Sequence, residues 1–495
     1  MRSALLALGL VLAAAFPTAE GRRKNGTGKT YSVRAFGARG DGATLDGPSI
    51  QNGINQLKPG DTLHFPEGTY LVDSVVGIKL KDDITLDLGS AVVTAQNVSG
   101  ARCRIFDASA TTGVEIHGGT LVGSRSGNPQ WGVGIIASDA ESLLIDGTHF
   151  RDFFFDGILL TGNKGCKKVI VRNVTSSNNR RTGLAIPAAD DVTVEDSTFE
   201  GSNGQSPQAG VNCEPGPGAQ VTNVKFERCT FSKNAGVGIY LHKALGITVE
   251  NASVEDSTVD SNLQGIVASG VENVTIVGNT VVHQRENATS GIALGDGTTG
   301  VLVSGNHLED NYRGIMAAGA TGVQIRGNTI EPGSASPPPD SGQEGAPPLP
   351  SPSPMPLPSA SPTPTVPGDC ITCRGLKGIL ANACVIANNT VRGCPGSAVV
   401  VELVSHVQLL ENTVETAGFS GVLLRSVSDS EARGNEISGS GGGSPGHYDG
   451  IELVQSSNNN VVRTNVIHKS NAMRNPVGVG PGCVGNQLID NVVKP

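Results

Sequence analysis

The sequence predicts an all-β fold, a parallel β-helix in which a single chain winds through successive coils. Three observations support this prediction: abundant glycine, a recurring glycine-apolar triplet, and a second strand with an Asn-centred turn downstream of most triplets. The 495 residues include 67 glycines, whereas aromatic residues make up only 4%. Few large side chains and many Val, Ile, Thr and Asn residues favour short strands and turns over packed helices.

The repeat begins with a small residue followed by alternating apolar residues, and neighbouring copies up to residue 314 are 23 to 28 residues apart. The first and third residues after the glycine are expected to face the core, and the second and fourth to face solvent. A β-propeller blade needs a longer period of ~40 residues or more. At least 13 copies occur, at Gly134, Gly157, Gly183, Gly210, Gly238, Gly265, Gly291, Gly314, Gly378, Ala398, Gly421, Gly450 and Gly478.

One helix is predicted before the repeat. Ile50, Ile54 and Leu57 share one helical face behind Asp46 and Pro48, which are favourable residues for a helix start. We expect this helix to cap the first coil and cover its exposed edge.

A proline-rich segment interrupts the repeat. Residues 332–367 contain 14 of the 28 prolines among Ser, Gly and Thr residues, which is typical of an extended or disordered segment. Because the strand pattern resumes afterwards, residues 332–369 are interpreted as an insertion within one β-helical domain spanning residues 30–495.

The beginning of the chain predicts export. Arg2 precedes an apolar run from Leu5 to Phe16, and small residues follow, so residues 1–19 are interpreted as a secretory signal peptide. The run is too short for a membrane span, and we expect a secreted, periplasmic or cell-surface protein without one. The net charge of −9 gives no basic patch and argues against nucleic acid as a partner.

Nine cysteines in an exported chain predict some disulfides and at least one leftover thiol. Cys370, Cys373, Cys384 and Cys394 have a spacing that would also suit a zinc site, although the compartment favours local disulfides. Asp190 and Asp191 could contact calcium, but an acidic pair in a turn is usually only solvated. No cofactor or metal site is therefore predicted.

The stretch YSVRAFGARGDG from Tyr31 to Gly42, with IQNGI from residue 50 and FPEGTY from residue 65, resembles the amino-terminal signature of the pectate-lyase-like superfamily. This group of right-handed, single-stranded β-helices includes pectate lyases, polygalacturonases and alginate epimerases. The resemblance implies the fold and a polysaccharide partner, without specifying a reaction. Leu45 and Asp46 stand where the family often has paired aspartates.

The resemblance does not extend to one subgroup. Asp156 matches the first polygalacturonase aspartate, but the other three motif positions read RTG from Arg181, QAG from Gln208 and GIY from Gly238. Alginate epimerases have a similar Phe-Asp bend, but their following histidine is absent here. The resemblance therefore supplies neither catalytic mechanism.

Two neighbouring coils have functional groups at solvent-facing positions. Stacking is expected to place Asn212 beside Tyr240 and Glu214 about 4.8 Å from His242. A neighbouring carboxylate raises the pKa of a histidine, and a tyrosine can exchange a proton nearby. Glu214, His242 and Tyr240 are therefore candidate catalytic residues, with Asn212 as a candidate substrate-binding residue.

The bend before these strands is expected to bring Asp156, Arg180 and Arg181 to the rim. Asp156 is a further candidate catalytic residue, whereas Arg180, Arg181 and Lys243 are candidates for binding a uronate carboxylate. Strand geometry predicts roughly 15 to 20 Å between Asp156 and Glu214, too far for a glycosidase pair. Proton abstraction next to a carboxylate is therefore favoured over hydrolysis.

A second polar patch lies near the end of the chain, around His447 to Glu452. Its neighbours Glu402 and Arg425 are expected to stack as an ion pair with a structural role.

The leading functional hypothesis is an exported protein that binds an acidic polysaccharide and cleaves or epimerises it. Glu214 or His242 would be the base, Tyr240 the acid and Arg181 the carboxylate ligand. The alternative is a non-catalytic surface, adhesion or polysaccharide-binding module with the same fold. The sequence leaves open whether the protein is an enzyme.

Overall fold

The computed structural model describes residues 28–97, 99–126, 130–216, 218–244, 246–284, 289–331, 368–375, 381–382 and 384–495. The predicted signal peptide and residues 332–367 lie outside this part of the chain. The described residues form a parallel β-solenoid of about 15 coils. This confirms the predicted all-β parallel β-helix.

Each coil contributes one strand to a parallel sheet, here called the front sheet, which has 15 strands among the described residues. The strands in chain order are Ile78–Lys79, Arg102–Asp107, Trp131–Ser138, Asp156–Thr161, Thr182–Ala185, Ala209–Cys213, Val237–His242, Gln264–Ser269, Ile292–Leu294, Ile315–Ala318, Ile371–Arg374, Val399–Glu402, Val422–Arg425, Ile451–Val454 and Val477–Val479.

The rest of each coil enters a second sheet, which has two columns of strands separated by a turn. The strands of the first column are Thr30–Ser32, Thr62–His64, Leu144–Asp146, Cys166–Arg172, Ala189–Glu195, Val221–Glu227, Val249–Glu255, Glu272–Val277, Thr299–Ser304, Thr321–Arg326, Val385–Ala387, Gln408–Leu410, Glu431–Arg433, Val461–Arg463 and Gln487–Ile489. The strands of the second column are Asp41–Leu45, Thr69–Val72, His149–Arg151, Thr175–Ser177, Thr198–Glu200, Thr230–Ser232, Thr258–Asp260, Thr280–Val282, His307–Glu309, Thr329–Glu331, Thr390–Val391, Thr413–Val414, Glu436–Ile437, Val466–His468 and Val492–Lys494. Thr85–Ala95 and Glu115–Val122 run through both columns, and Ala381–Asn382 pairs separately with Val404–Ser405.

The apolar residues of the repeat fill the interior as predicted. Ile158 and Leu160 in one front strand, and Ile239 and Leu241 in another, have no exposed surface. The glycine before each triplet allows neighbouring coils to approach closely. A Cβ atom on Gly210, for example, would lie 2.7 Å from the carbonyl oxygen of Gly238.

Buried asparagines form a ladder in the turn between the two columns. The Nδ2 atom of Asn328 donates to Oδ1 of Asn389 at 2.9 Å, and the backbone N–H of Asn328 donates to the same oxygen at 3.0 Å. Asn389 repeats this pattern with Asn412. Because the turn is buried, these amides satisfy backbone groups that water cannot reach. The asparagine ladder comprises Asn279, Asn306, Asn328, Asn389, Asn412, Asn435, Asn465 and, half-buried at its end, Asn491.

The predicted helix is present as α1, Gly47–Gln56, and packs beside the 3₁₀ helix Val33–Phe36. Ile50 and Ile54 are buried against the first coil. Asp46 accepts backbone N–H bonds from the preceding loop and makes no side-chain bond to the helix. Across the described residues, no helix has the length and hydropathy needed to cross a membrane.

The strands on either side of residues 332–367 are direct neighbours. Ile315 pairs with Ile371 in the front sheet, and Thr329 pairs with Thr390 in the second sheet. The insertion itself stays a prediction, because it lies outside the described residues.

Cys370 and Cys394 form a disulfide across neighbouring front-sheet coils. Cys373 and Cys384 are buried thiols. The cysteine pattern therefore includes a disulfide, in line with the preferred alternative for this segment.

Candidate functional site

Adjacent strands of the front sheet bring together most of the predicted site residues. The strands involved are Asp156–Thr161, Thr182–Ala185, Ala209–Cys213 and Val237–His242, which pair in this order. We call the side chains that meet here the Arg181 cluster, comprising Asp156, Arg181, Asn212, Glu214, Tyr240 and His242.

Arg181 lies at the centre of this cluster. Its Nη1 atom is 3.1 Å from Oδ2 of Asp156, and its Nη2 atom is 3.8 Å from Oε2 of Glu214. The guanidinium also lies 4.8 Å from the ring centroid of Phe155. Only 18% of the Arg181 side chain is exposed, so its position is fixed by these contacts.

Asp156 does not lie at the rim, and this prediction is wrong. Its side chain is fully buried and accepts a hydrogen bond of 2.6 Å from Oγ1 of Thr182. Burial raises the pKa of Asp156, while Arg181 and Thr182 oppose the rise. Asp156 therefore has no surface with which to contact a substrate, and its role is to hold Arg181.

The predicted separation between Asp156 and Glu214 is also wrong. Both carboxylates contact the guanidinium of Arg181, which brings them closer than the roughly 15 to 20 Å expected from strand spacing. The strand Ala209–Cys213 ends before Glu214, so the distance along an extended strand does not apply. The burial of Asp156, rather than distance, is what argues against this pair as a glycosidase acid and base.

Asn212 and Tyr240 are neighbours, as predicted, whereas the spacing of about 4.8 Å expected between Glu214 and His242 stays a prediction. The parallel register pairs Asn212 with Tyr240 and Cys213 with Leu241, but the strand ends before Glu214. Oε2 of Glu214 instead accepts a hydrogen bond of 3.1 Å from Nδ2 of Asn212. Pro215 follows Glu214 and has no N–H group to extend the ladder, in line with the end of the strand at Cys213.

Tyr240 and His242 stack with ring centroids 4.9 Å apart and an interplanar angle of 18°. Burial lowers the pKa of His242 more than the charge of Glu214 raises it, so the expected upward shift is wrong. Burial, with a further contribution from Glu214, raises the pKa of Tyr240 to about 12. At neutral pH the cluster therefore presents a neutral imidazole and a protonated phenol.

Two polar atoms of the cluster have no hydrogen-bond partner among the described residues. They are Nδ1 of His242 and Oδ1 of Asn212, both buried. Most buried polar atoms in proteins are paired. These two atoms are not, so the cluster can still form hydrogen bonds through them.

Two cations flank the cluster. Arg180 stacks over the ring of Phe154 at 4.2 Å, and Lys243 is exposed directly after His242. Within the described part of the chain, neither makes an ion pair, whereas Arg181 is shared between two carboxylates. Arg180 and Lys243 are therefore better placed than Arg181 to bind a carboxylate from solution.

A groove of about 300 Å³ lies at the carboxyl ends of the strands Trp131–Ser138, Asp156–Thr161, Thr182–Ala185 and Ala209–Cys213. It begins two residues after Glu214, at Gly216, and is open to solvent. Its lining includes the neutral side chains of Ser138, Thr161, Asn163, Pro187 and Ala219.

Sequence reasoning missed two aromatic residues beside the cluster. The ring of Trp131 lies 6.2 Å from that of Phe155, which in turn stacks under Arg181. Trp131 is the only tryptophan in the sequence and stands three residues before Gly134, a repeat position. A large aromatic residue shortly before a repeat glycine was the feature of the sequence that could have identified these two residues.

The second patch contains linked ion pairs. Arg474 contacts Asp449 at 2.6 Å and Glu452 at 2.9 Å, and Asp449 is fully buried. The ion pair expected between Glu402 and Arg425 is present at 3.7 Å.

Among the described residues, no three His, Cys, Asp or Glu side chains are grouped so that they could hold a metal ion. Asp190 accepts hydrogen bonds from Thr222 at 2.7 Å and Asn223 at 2.8 Å, so its partners are other residues of the protein.

Two curated relatives have no described activity. The "Uncharacterized protein YclG" of Bacillus subtilis strain 168 is 23% identical over 321 residues, which cover 55% of this chain and 53% of that protein. The "SPbeta prophage-derived uncharacterized protein YorA" of the same strain is 24% identical over 271 residues, covering 46% of this chain and 45% of that protein. The chain spans about half the length of the curated relatives it matches.

Solved structures share the solenoid. The tailspike protein of E. coli bacteriophage HK620, solved in complex with a pentasaccharide, matches with a TM-score of 0.53 and 13% identity over 93% of this chain and 80% of that chain. The A-module of the mannuronan C-5 epimerase AlgE4 from Azotobacter vinelandii matches with a TM-score of 0.43 and 15% identity over 94% and 97%. At 13% identity the similarity to the tailspike establishes the fold alone.

A family model described as periplasmic copper-binding protein (NosD) matches residues 212–334. Among the residues described in this range, no three His, Cys, Asp or Glu side chains are grouped so that they could hold a metal ion, and Cys213 is a fully buried thiol whose pKa is raised by burial. A second model, described as right handed beta helix region, matches residues 105–258 and 376–493, more than half of the chain. The protein therefore belongs to the right-handed β-helix family.

Proposed function

We propose that the protein is exported, binds an acidic polysaccharide along its front sheet and acts on it as a lyase or epimerase. The observation that supports this most is the Arg181 cluster itself. It gathers a guanidinium, a carboxylate, a phenol and a neutral imidazole on adjacent strands beside an open groove. Such groups can abstract and return a proton next to a substrate carboxylate.

Substrate binding would use the charges that the protein does not pair. Arg180 and Lys243 offer cations for uronate carboxylates, and Trp131 and Phe155 offer ring faces for sugar rings. The tailspike with the same fold holds a pentasaccharide, which is an analogy at the level of the fold.

In the proposed reaction, neutral His242 takes the proton from the carbon next to the carboxylate. In a lyase, the electron pair then forms a carbon–carbon double bond as the glycosidic C–O bond breaks, and Tyr240 protonates the leaving oxygen. In an epimerase, the same carbon instead takes a proton from water on its opposite face, because Tyr240 stacks beside His242 and faces the same side of the sugar. Burial, together with the negative charge of Glu214, keeps the phenol protonated, and Glu214 is the alternative base.

The first test is incubation of the purified protein with polygalacturonate, alginate and rhamnogalacturonan. A lyase yields an unsaturated product with ultraviolet absorbance, and an epimerase changes the proton NMR spectrum of the polymer. We expect His242→Gln and Tyr240→Phe to lower the rate roughly 10²- to 10⁴-fold, because each removes a proton-transfer group. His307→Gln, an exposed histidine on the second sheet, is the control and should leave the rate unchanged. No product from any of the three polymers would contradict the catalytic proposal.

The pH dependence gives an independent prediction. Because the folded pKa of His242 lies below 6.5, activity should rise with pH through a midpoint below that value. Tyr240 should cause no loss of activity until the pH approaches about 12. Initial rates across pH, for wild type and His242→Gln, measure this profile. A rise centred at or above pH 6.5, or one that persists unchanged in the variant, would rule out His242 as the base.

A non-catalytic polysaccharide-binding module is the second candidate function. It is favoured by one observation: Glu214 bonds to Asn212 and, in the part of the chain that the structure describes, makes no hydrogen bond that would orient His242. Calorimetric binding of one of the three polymers, with no change in its NMR spectrum or ultraviolet absorbance, would support this alternative.

A further inference from the structure

The partly exposed aromatic side chains are concentrated on one face of the molecule. Eight described aromatic residues keep some exposed surface. Two of them, Tyr31 and Phe36, pack together in the amino-terminal cap. The other six lie in the front sheet or at the edge where its strands begin, namely Trp131, Phe155, Tyr240, Tyr312, Phe419 and Tyr448.

Phe419 and Tyr448 form a pair far from the Arg181 cluster. Each stands two residues before the glycine of its repeat, Gly421 or Gly450, on neighbouring coils. Their ring centroids are 4.6 Å apart with an interplanar angle of 34°, and both side chains are half-buried. Rings held in this way present an apolar surface at little conformational cost.

The polar groups beside this pair are bound to one another. Glu452 accepts hydrogen bonds from Ser420 and from Arg474, whose guanidinium also binds Asp449. This fixes the edge around the rings and leaves little free charge. The pair therefore suits the apolar face of a sugar ring rather than a carboxylate.

We propose that Phe419 and Tyr448 form a second saccharide subsite, which binds a distant part of the same polysaccharide chain held at the Arg181 cluster. This inference rests on the proposed function. The front strands from Val237–His242 to Ile451–Val454 are eight consecutive neighbours with seven spacings. At ~4.8 Å for each spacing, the two sites lie roughly 34 Å apart along the sheet.

Because of the distance between the two sites, the length of the polysaccharide decides whether one molecule can bind both. A polymer that spans roughly 34 Å can bind both sites at once, so that binding at the second site becomes intramolecular. A trisaccharide is too short to span them and reports the Arg181 cluster alone. The partly exposed Tyr312 lies between the two sites and would contact the bridging segment.

The test compares the full-length protein with the double variant Phe419→Leu/Tyr448→Leu, which keeps apolar bulk but removes both ring faces. Calorimetry measures affinity for polymeric polygalacturonate and for its trisaccharide, and alginate with its trisaccharide serves as a second pair. Fluorescence of Trp131, the only tryptophan, reports occupancy of the Arg181 cluster separately. Thermal unfolding checks that the variant is folded, and Tyr448→Leu alone is the milder variant if it is not. Val76→Ala, an exposed residue elsewhere, is the matched control.

We expect the double variant to bind the polymer 10- to 100-fold more weakly with an unchanged trisaccharide affinity. Unchanged polymer affinity would overturn the second subsite alone. An equal loss for polymer and trisaccharide would also overturn it, because the rings would then act through the first site. Failure of the wild-type protein to bind any of these probes would instead overturn the proposed function, and the second subsite with it.

Discussion

Replacing Arg181 with leucine is expected to lower the free energy of unfolding by about 3 to 5 kcal/mol, because the charge of Asp156 would be left buried without its partner. Asp156 has no exposed surface, and its remaining side-chain bond comes from Thr182. Urea denaturation followed by circular dichroism measures the loss. The double variant Asp156→Asn/Arg181→Leu should recover most of it, since the buried group is then uncharged.

The loss of unfolding free energy caused by Arg181→Leu should depend on pH. The folded pKa of Asp156 is already above its ordinary value of 3.8, and loss of the guanidinium raises it further. A carboxyl whose pKa is raised by folding contributes stability below its unfolded pKa and loses it as pH rises through the folded pKa. The variant should therefore approach wild type in acid and differ most at neutral pH.

Arg463→Leu is the control for this experiment. Arg463 pairs with Glu431 at 2.6 Å on an exposed face, and such pairs are worth at most about 1 kcal/mol. If Arg181→Leu were no more destabilising than Arg463→Leu, the buried pair could not be the anchor of the cluster.

Replacing Asn389 with leucine is expected to cost about 3 kcal/mol of stability, since each orphaned buried group costs about 1 to 3 kcal/mol. The substitution removes the oxygen that accepts both the backbone N–H and the Nδ2 group of Asn328. It also removes the donor to the carbonyl oxygen of Ile325. The coils on either side should open locally, which hydrogen exchange of their amides measures.

Asn388→Gly is the matched control for Asn389→Leu. Asn388 is the adjacent residue, is exposed and has a φ of +55°, a conformation that glycine adopts without strain. Its replacement should change stability little. Equal exchange rates in the two variants would show that the asparagine ladder contributes no more than a surface amide.

The repeat made the fold predictable from sequence. A fixed glycine frame sets the register between coils, so the pairing of Val211 with Ile239 follows from the positions of Gly210 and Gly238. The period of two along each strand then decides which side chains enter the core. These rules are local, and the register follows them from Gly134 to Gly314 and again at Ala398, Gly421 and Gly450. The frame was wrong at two coils: the strand paired with Ile315 begins at Ile371, whereas the predicted Gly378 lies outside the described residues, and Ile451 pairs with Val477 rather than with the residue after Gly478.

The geometry of the site was less predictable, because it depends on where strands bend and end. The frame placed Asp156 on the correct strand but did not show that its carboxylate turns inward beneath Arg181. It extended the ladder to Glu214, although the strand ends at Cys213. The aromatic residues before the repeat glycines, such as Phe155 and Tyr448, fall outside the alternating triplet and were therefore missed as a group.

The direct pairing of coils around residues 332–367 has a practical consequence. Thr329 and Thr390 are neighbours in one sheet although 61 residues separate them in sequence. Loop closure costs only about 0.6 kcal/mol for each doubling of loop length. We therefore expect that an affinity tag or a fluorescent reporter fused between Glu331 and Gly368 leaves the pairing of the coils on either side unchanged.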